Sequence, residues 1–135
     1  MKTGLQVLKD IRSLINLPEV TAAISGSIYQ MKAPVNSGLE NIVIRLQGVD
    51  NEQVQQATVN VNIHVPNMKS DATLPNLTSF DRICDLLMPL IDTQFRDSFH
   101  TEIATPAIIY QDNDGSHFAN IKVNYYSIQT NFKNI

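Results

Sequence analysis

An α+β domain, with an antiparallel sheet of about five strands, is what three features of this sequence predict. A strict two-residue alternation runs from Thr58 to Val65. Two other segments carry apolar residues at helical spacing, and no helical segment separates the first three candidate strands. The expected element order is α-β-β-β-α-β-β, with both helices packed on one face of the sheet. The chain has 135 residues, which fits a single domain spanning 1–135. A chain of that size buries a core without disulfide or metal staples.

The first helix is predicted just after Thr3, whose hydroxyl can cap it, with Leu5, Leu8, Ile11, Leu14 and Ile15 recurring along the segment. Pro18 stops that helix and can open a short second turn through Ile24, before Gly26 breaks the chain. Ser27 to Lys32 reads as a strand, and Pro34, Asn36, Ser37 and Gly38 mark the loop behind it. Ile42, Ile44 and Leu46 give a second strand, followed by a polar turn from Gly48 to Gln53.

Val59, Val61, Ile63 and Val65 then alternate with Thr58, Asn60, Asn62 and His64. That period places one face on a core and the other toward water. Pro66 ends the strand, and Asn67 to Asn76 has no periodicity. Thr78 is the expected cap of a long helix, with Asp81 completing a capping box. Its stripe is Phe80, Ile83, Cys84, Leu87, Leu90 and Ile91. Pro89 lies inside the stripe and predicts a kink or restart, because it lacks an N–H and crowds the carbonyl of Asp85. The chain closes with a hairpin: Glu102 to Gln111, a turn at Asp112-Asn113-Asp114-Gly115, and Phe118 to Gln129.

Composition narrows the function. Net charge is −3, and the ten Lys and Arg residues are scattered, which argues against tight binding of free nucleic acid. Charged residues are only 17% of the chain, and Asn, Gln, Ser and Thr take their place. A neutral polar surface of that kind suits contact with other protein. The single cysteine, Cys84, cannot form an internal disulfide. Lys9, Asp10 and Arg12 interrupt the first apolar stretch, so no signal peptide is expected there. No apolar run approaches the ~20 residues that span a bilayer, and the expectation is a soluble cytoplasmic protein without membrane contact.

Catalytic chemistry has little to stand on. His64, His100 and His117 lack metal-ligand spacing. Asp112, Asp114 and Gly115 approximate the start of a calcium loop, but its twelfth position is Val123 rather than Glu. Cys84 sits on an apolar stripe, where a thiol behaves as a small hydrophobe. Ser25-Gly26-Ser27 lacks the glycine framing of a nucleophile elbow. No catalytic, metal or cofactor residues are assigned, and the protein is not expected to be an enzyme. Tyr125 and Tyr126 place one ring on each face of a strand, one for the core and one for an interface. Phe95, Phe99 and Met68 are further interface candidates.

The order of elements resembles the tail-terminator, or tail-completion, proteins of long-tailed phages and prophages, a head–tail joining family. The resemblance is carried by LPEVTAAISGSIYQMKAP (Leu17–Pro34), the alternating ATVNVNIHV (Ala57–Val65), the amphipathic FDRICDLLMPLID (Phe80–Asp92) and a closing hairpin from Ile103 to Gln129. It departs from the family pattern at Asn41-Ile42, where Pro-Tyr is usual, and in the long loop from Asn67 to Asn76. The resemblance implies a homo-oligomeric ring, commonly a hexamer, at the head-proximal end of the tail tube. Its partners would be the tail tube protein and the head connector, with DNA passing through the lumen without specific binding. Its places would be the host cytoplasm during assembly and then the virion tail. Asp50, Asn51, Glu52 and Tyr126 are the residues expected at an oligomer or lumen surface. Architecture alone also allows a non-enzymatic binding module, a dimer holding a small ligand or peptide between sheet and helices.

Overall fold

The computed structural model describes residues 2–49 and 54–128. It contains α1 (Gly4–Ile15), α2 (Pro18–Thr21), β1 (Ile28–Gln30), β2 (Asn41–Val49), β3 (Val54–Val65), α3 (Leu77–Ile91), β4 (Gln94–Phe95), β5 (Phe99–Gln111) and β6 (His117–Ile128). The strands form one six-stranded sheet in the order β1-β2-β3-β6-β5-β4. The α+β class holds, with three corrections to its detail: the sheet is mixed, it has six strands, and three helices accompany it.

The core begins with β3. Its inward residues Val59, Val61 and Ile63 are fully buried, and they meet Val123, Ile121 and Ala119 of β6 directly across the ladder. On the other side Ile63 and Val61 oppose Ile42 and Ile44 of β2. Helix α1 lays Val7, Leu8, Ile11, Leu14 and Ile15 on this apolar floor, and α3 adds Phe80, Ile83, Leu87 and Ile91. Each such side chain taken from water contributes about 1.5–3 kcal/mol.

Local signals explain the helix ends. Thr3 accepts a hydrogen bond from the Gln6 N–H at 3.2 Å, and the Gln6 amide oxygen accepts from the Thr3 N–H at 2.8 Å, a complete capping box. The expected cap of α3 is displaced. Asn76, not Thr78, accepts from the Ser79 N–H at 3.3 Å, because the helix begins one turn before its first buried residue, Phe80. Pro89 does not restart α3, which runs through it. It falls in the last turn, and the helix ends at Ile91, capped where the Asp92 N–H donates to Met88.

The parallel β1–β2 pair departs most from the expected antiparallel arrangement. After β1 the chain turns away at Met31 and again at Asn36, both at positive φ. It then runs back along the sheet, so β2 starts beside the start of β1. Asn41 locks this return: its side-chain oxygen accepts from the Ser27 N–H at 3.2 Å, and its amide donates to Ser37 at 2.8 Å. Gly26 makes the join possible, because a Cβ there would run into the Asn41 side chain and the Glu40 carbonyl. The two residues of β4 pair with Thr101 and His100 of β5, and carry no periodicity that a sequence reading could detect.

The N-terminus is tied down by polar side chains. Gln55, buried in β3, accepts from the Lys2 N–H at 3.0 Å and from Ser127 at 3.1 Å, and donates to the Lys2 carbonyl at 2.8 Å. Asp10 of α1 accepts from the Tyr125 hydroxyl and from the Lys2 ammonium, both at 2.6 Å.

Two substitutions test this construction by urea denaturation. Ile63→Ala is expected to cost about 2–5 kcal/mol, because it leaves a cavity under both helices. Gly26→Ala is expected to cost about 1–3 kcal/mol by forcing β1 away from Asn41.

Candidate functional site

The sheet face turned away from the helices is the candidate site. Among the described residues no helix lies on it. The register places Asn41, His64, Phe118 and Tyr110 in one row across four strands. A second row contains Gln56, Tyr126, His100 and Phe95. Along β3 the two rows stand roughly 27 Å apart, at about 3.4 Å per residue.

Both rows are aromatic ladders. In the first, His64 stacks on Phe118 at 5.4 Å and Phe118 on Tyr110 at 5.7 Å between ring centroids. In the second, Tyr126 stacks on His100 at 4.7 Å and His100 on Phe95 at 5.4 Å. Phe95 stands at the end of its ladder with 71% of its surface exposed. The Tyr126 hydroxyl donates to the Glu102 carboxylate at 3.1 Å. Limited burial and then this carboxylate raise the Tyr126 pKa, so the phenol stays protonated near neutral pH.

Between the ladders lies a patch of amides. Asn120 donates to Asn62 at 2.7 Å and to Asn60 at 3.2 Å. Lys122 donates to Gln47 and Asn60, each at 3.0 Å. Arg45, exposed on β2, directly opposes Asn60.

At the His64 end, Val43 is only 3% exposed, and it lines a groove together with residues of the loop after β1. That groove, of about 470 Å³, lies between this loop and the β5–β6 turn and is lined by Arg45, Asn62, His64, Asp112, His117 and Phe118 among others. The turn is held by its own side chains: Asp114 accepts from the Ser116 N–H at 2.9 Å, and Gly115 takes φ +87. The Ser116 hydroxyl also donates to Asp114, at 2.6 Å, and this bond first and then the N–H hold the Asp114 carboxyl below its usual range. Burial lowers the His64 pKa most, Asp112 and Asp114 partly offset that, and Arg45 lowers it again. His117 is fixed by a 2.8 Å hydrogen bond between Nδ1 and Asn67.

The sequence candidates divide cleanly where they can be placed. Asp50, Asn51 and Glu52 lie outside the described residues. Tyr126 is on the open face, while Tyr125 is fully buried and stacks on Phe99 at 5.3 Å. Phe99 is therefore a core residue, whereas Phe95 and Met68 are exposed. Cys84 is buried, and burial raises its thiol to about 11, so the thiolate is scarce at neutral pH. Among the described residues no group of three or more His, Cys, Asp or Glu side chains could hold a metal ion. The ladders were not legible in advance. Thr58, Asn60, Asn62 and His64 read as a polar face, but their partners on β6 and β5 become visible only with the register.

His64 generates a pH prediction. Its folded pKa lies below 6.5, so on acidification the unfolded chain takes up a proton before the folded chain does. Stability therefore falls as pH drops through and below 6.5. Melting temperatures between roughly pH 7.5 and 5 should decline, and His64→Gln should flatten that decline.

No protein-family model matches the chain, and no curated protein matches it.

Proposed function

We propose that the chain is a non-enzymatic structural subunit that assembles with copies of itself into a ring. In this reading it is a tail-terminator protein of a long-tailed phage or prophage, closing the head-proximal end of the tail tube and joining it to the head connector. The observation that carries the reading is the open sheet face, with its two aromatic ladders and neutral amide centre. Buried Asn120 hydrogen-bonds to the surrounding amides there, leaving a neutral polar surface suited to another protein layer. The element order that supports the resemblance is present, with β1 parallel rather than antiparallel and a two-residue β4 added. No helix among the described residues is long and apolar enough to cross a membrane. Asp50, Asn51 and Glu52, between β2 and β3, remain the proposed lumen or partner residues.

A second reading, a dimeric binding module, is favoured by the groove beside His64. Its volume of about 470 Å³ suits a small ligand. The groove lies on the outer face, so such a ligand would not sit between sheet and helices.

Native mass spectrometry over a concentration series separates the two. The ring predicts a species near six copies of the 15.1 kDa chain, about 90.6 kDa. It also predicts capture of the protein on the ends of purified tail tubes. A stable dimer carrying a small molecule would transfer the assignment to the binding module. A monomer at every concentration that also fails to bind tube ends would overturn the ring.

A further inference from the structure

The sheet ends in two unlike edges. One is β1, whose three residues pair with β2 alone. The other is β5 over most of its length. The short β4 covers Thr101 and His100, and the Asp92 carboxylate accepts from the Ile103 N–H at 3.0 Å. Beyond Ile103, no further strand pairs on that side among the described residues.

Register carried across the sheet aligns these two edges. Tyr29, Val43, Asn62, Asn120 and Ile108 form one continuous row. Ile28, Ile42, Ile63, Ala119 and Ile109 form the next. The free part of β5 therefore stands at the height of β1, on the opposite side. Strand direction also fits: β5 opposes β6, β6 opposes β3, β3 opposes β2, and β2 runs parallel to β1. So β5 runs opposite to β1. A second copy placed beside the first in the same orientation sets β1 antiparallel against β5.

The side chains complement each other in the same placement. Ile108, Ile109 and Tyr110 are 42%, 39% and 45% exposed on the β5 edge, large apolar groups that a lone sheet edge ordinarily avoids. Met31, Val35 and Leu39 are exposed in the segment that follows β1. Exposed Asp81 lines a shallow groove with Ala107 and Ile109. In the aligned placement exposed Lys32 falls at the Thr105 end of the contact and exposed Asp112 at the Ser25 end, so apolar side chains and strand direction, not charge, match the two edges. Pro106 lacks an N–H and confines the addition to the residues after it.

We infer that the β5 edge from 107 to 111 receives the β1 edge of a second copy, head to tail, so that one sheet continues from subunit to subunit. The inference rests on the self-assembly reading above and names the surface that carries it. Such a contact is heterologous, and repeats of it close into a ring when the rotation between copies permits.

A cysteine pair tests it. In a Cys84→Ala background, Tyr29→Cys and Ile108→Cys introduce thiols on β1 and β5. Within one chain these strands are four spacings apart, about 19 Å, too far for a disulfide, whereas neighbouring antiparallel strands suit one. Oxidation is expected to give a reductant-sensitive ladder at multiples of 15.1 kDa. Each single cysteine variant is expected to stop at monomer or dimer. Ile108→Lys, with an unchanged melting temperature, is expected to weaken association at least roughly tenfold, because it places an unpaired ammonium in the contact. A ring in native mass spectra without the ladder, and insensitive to Ile108→Lys, would overturn the edge contact and leave the ring reading standing. A monomer without the ladder, unable to bind tube ends, would overturn both.

Discussion

The register of β3 is the constraint on which the rest of this structure depends. The strand is paired along its length to β6 and over most of it to β2, and its side chains alternate strictly between core and open face. A slip of one residue would turn Val59, Val61 and Ile63 outward and drive Asn60, Asn62 and His64 under the helices. Burying those amides without partners would cost about 1–3 kcal/mol each, so the slipped sheet cannot compete. Both candidate surfaces inherit this choice. The ladders exist because the outward residues of β3 meet Phe118 and Tyr126 on β6, and the two free edges align because β2 and β6 take their heights from β3.

Polar side chains finish what apolar burial begins. Asp10 and Gln55 hold α1 and the start of the chain against the strand ends, through Tyr125, Lys2 and Ser127. Burial, reinforced by Asp10, raises the Tyr125 pKa, so its hydroxyl remains a donor throughout the neutral range. Helix α1 thus has directional contacts as well as an oily one, which fixes its position over the sheet.

Elements whose signals are local were legible in the sequence. The Thr3 cap, the alternation of β3, the apolar stripe of α3 and the turn before Gly115 each follow from residues within one or two turns of each other. Elements that depend on distant partners were not. The direction of β1 is decided by Asn41, reaching back to Ser27. β4 has no pattern because its pairing is supplied by β5. At the α3 terminus Asn76 and Thr78 are both competent caps, and the depth at which Phe80 must enter the core decides between them. The site was half legible for the same reason. Two adjacent tyrosines must point to opposite faces, but His100 and Phe95 join Tyr126 only through pairings that no single segment encodes.

The amide patch has a further consequence. Its amides hydrogen-bond to one another, and its charges are two cations, Lys122, which donates to Gln47 and Asn60, and Arg45 beside Asn60. The sheet edges, in contrast, set Glu102 and Asp112 on one side against Lys32 on the other. Dissolved ions screen charged groups and scarcely touch hydrogen bonds between neutral amides. In the proposed assembly, ionic strength would thus act on contacts made through charged side chains and spare those made through the amides. If the chain assembles as proposed, a change of medium would alter one kind of contact without the other.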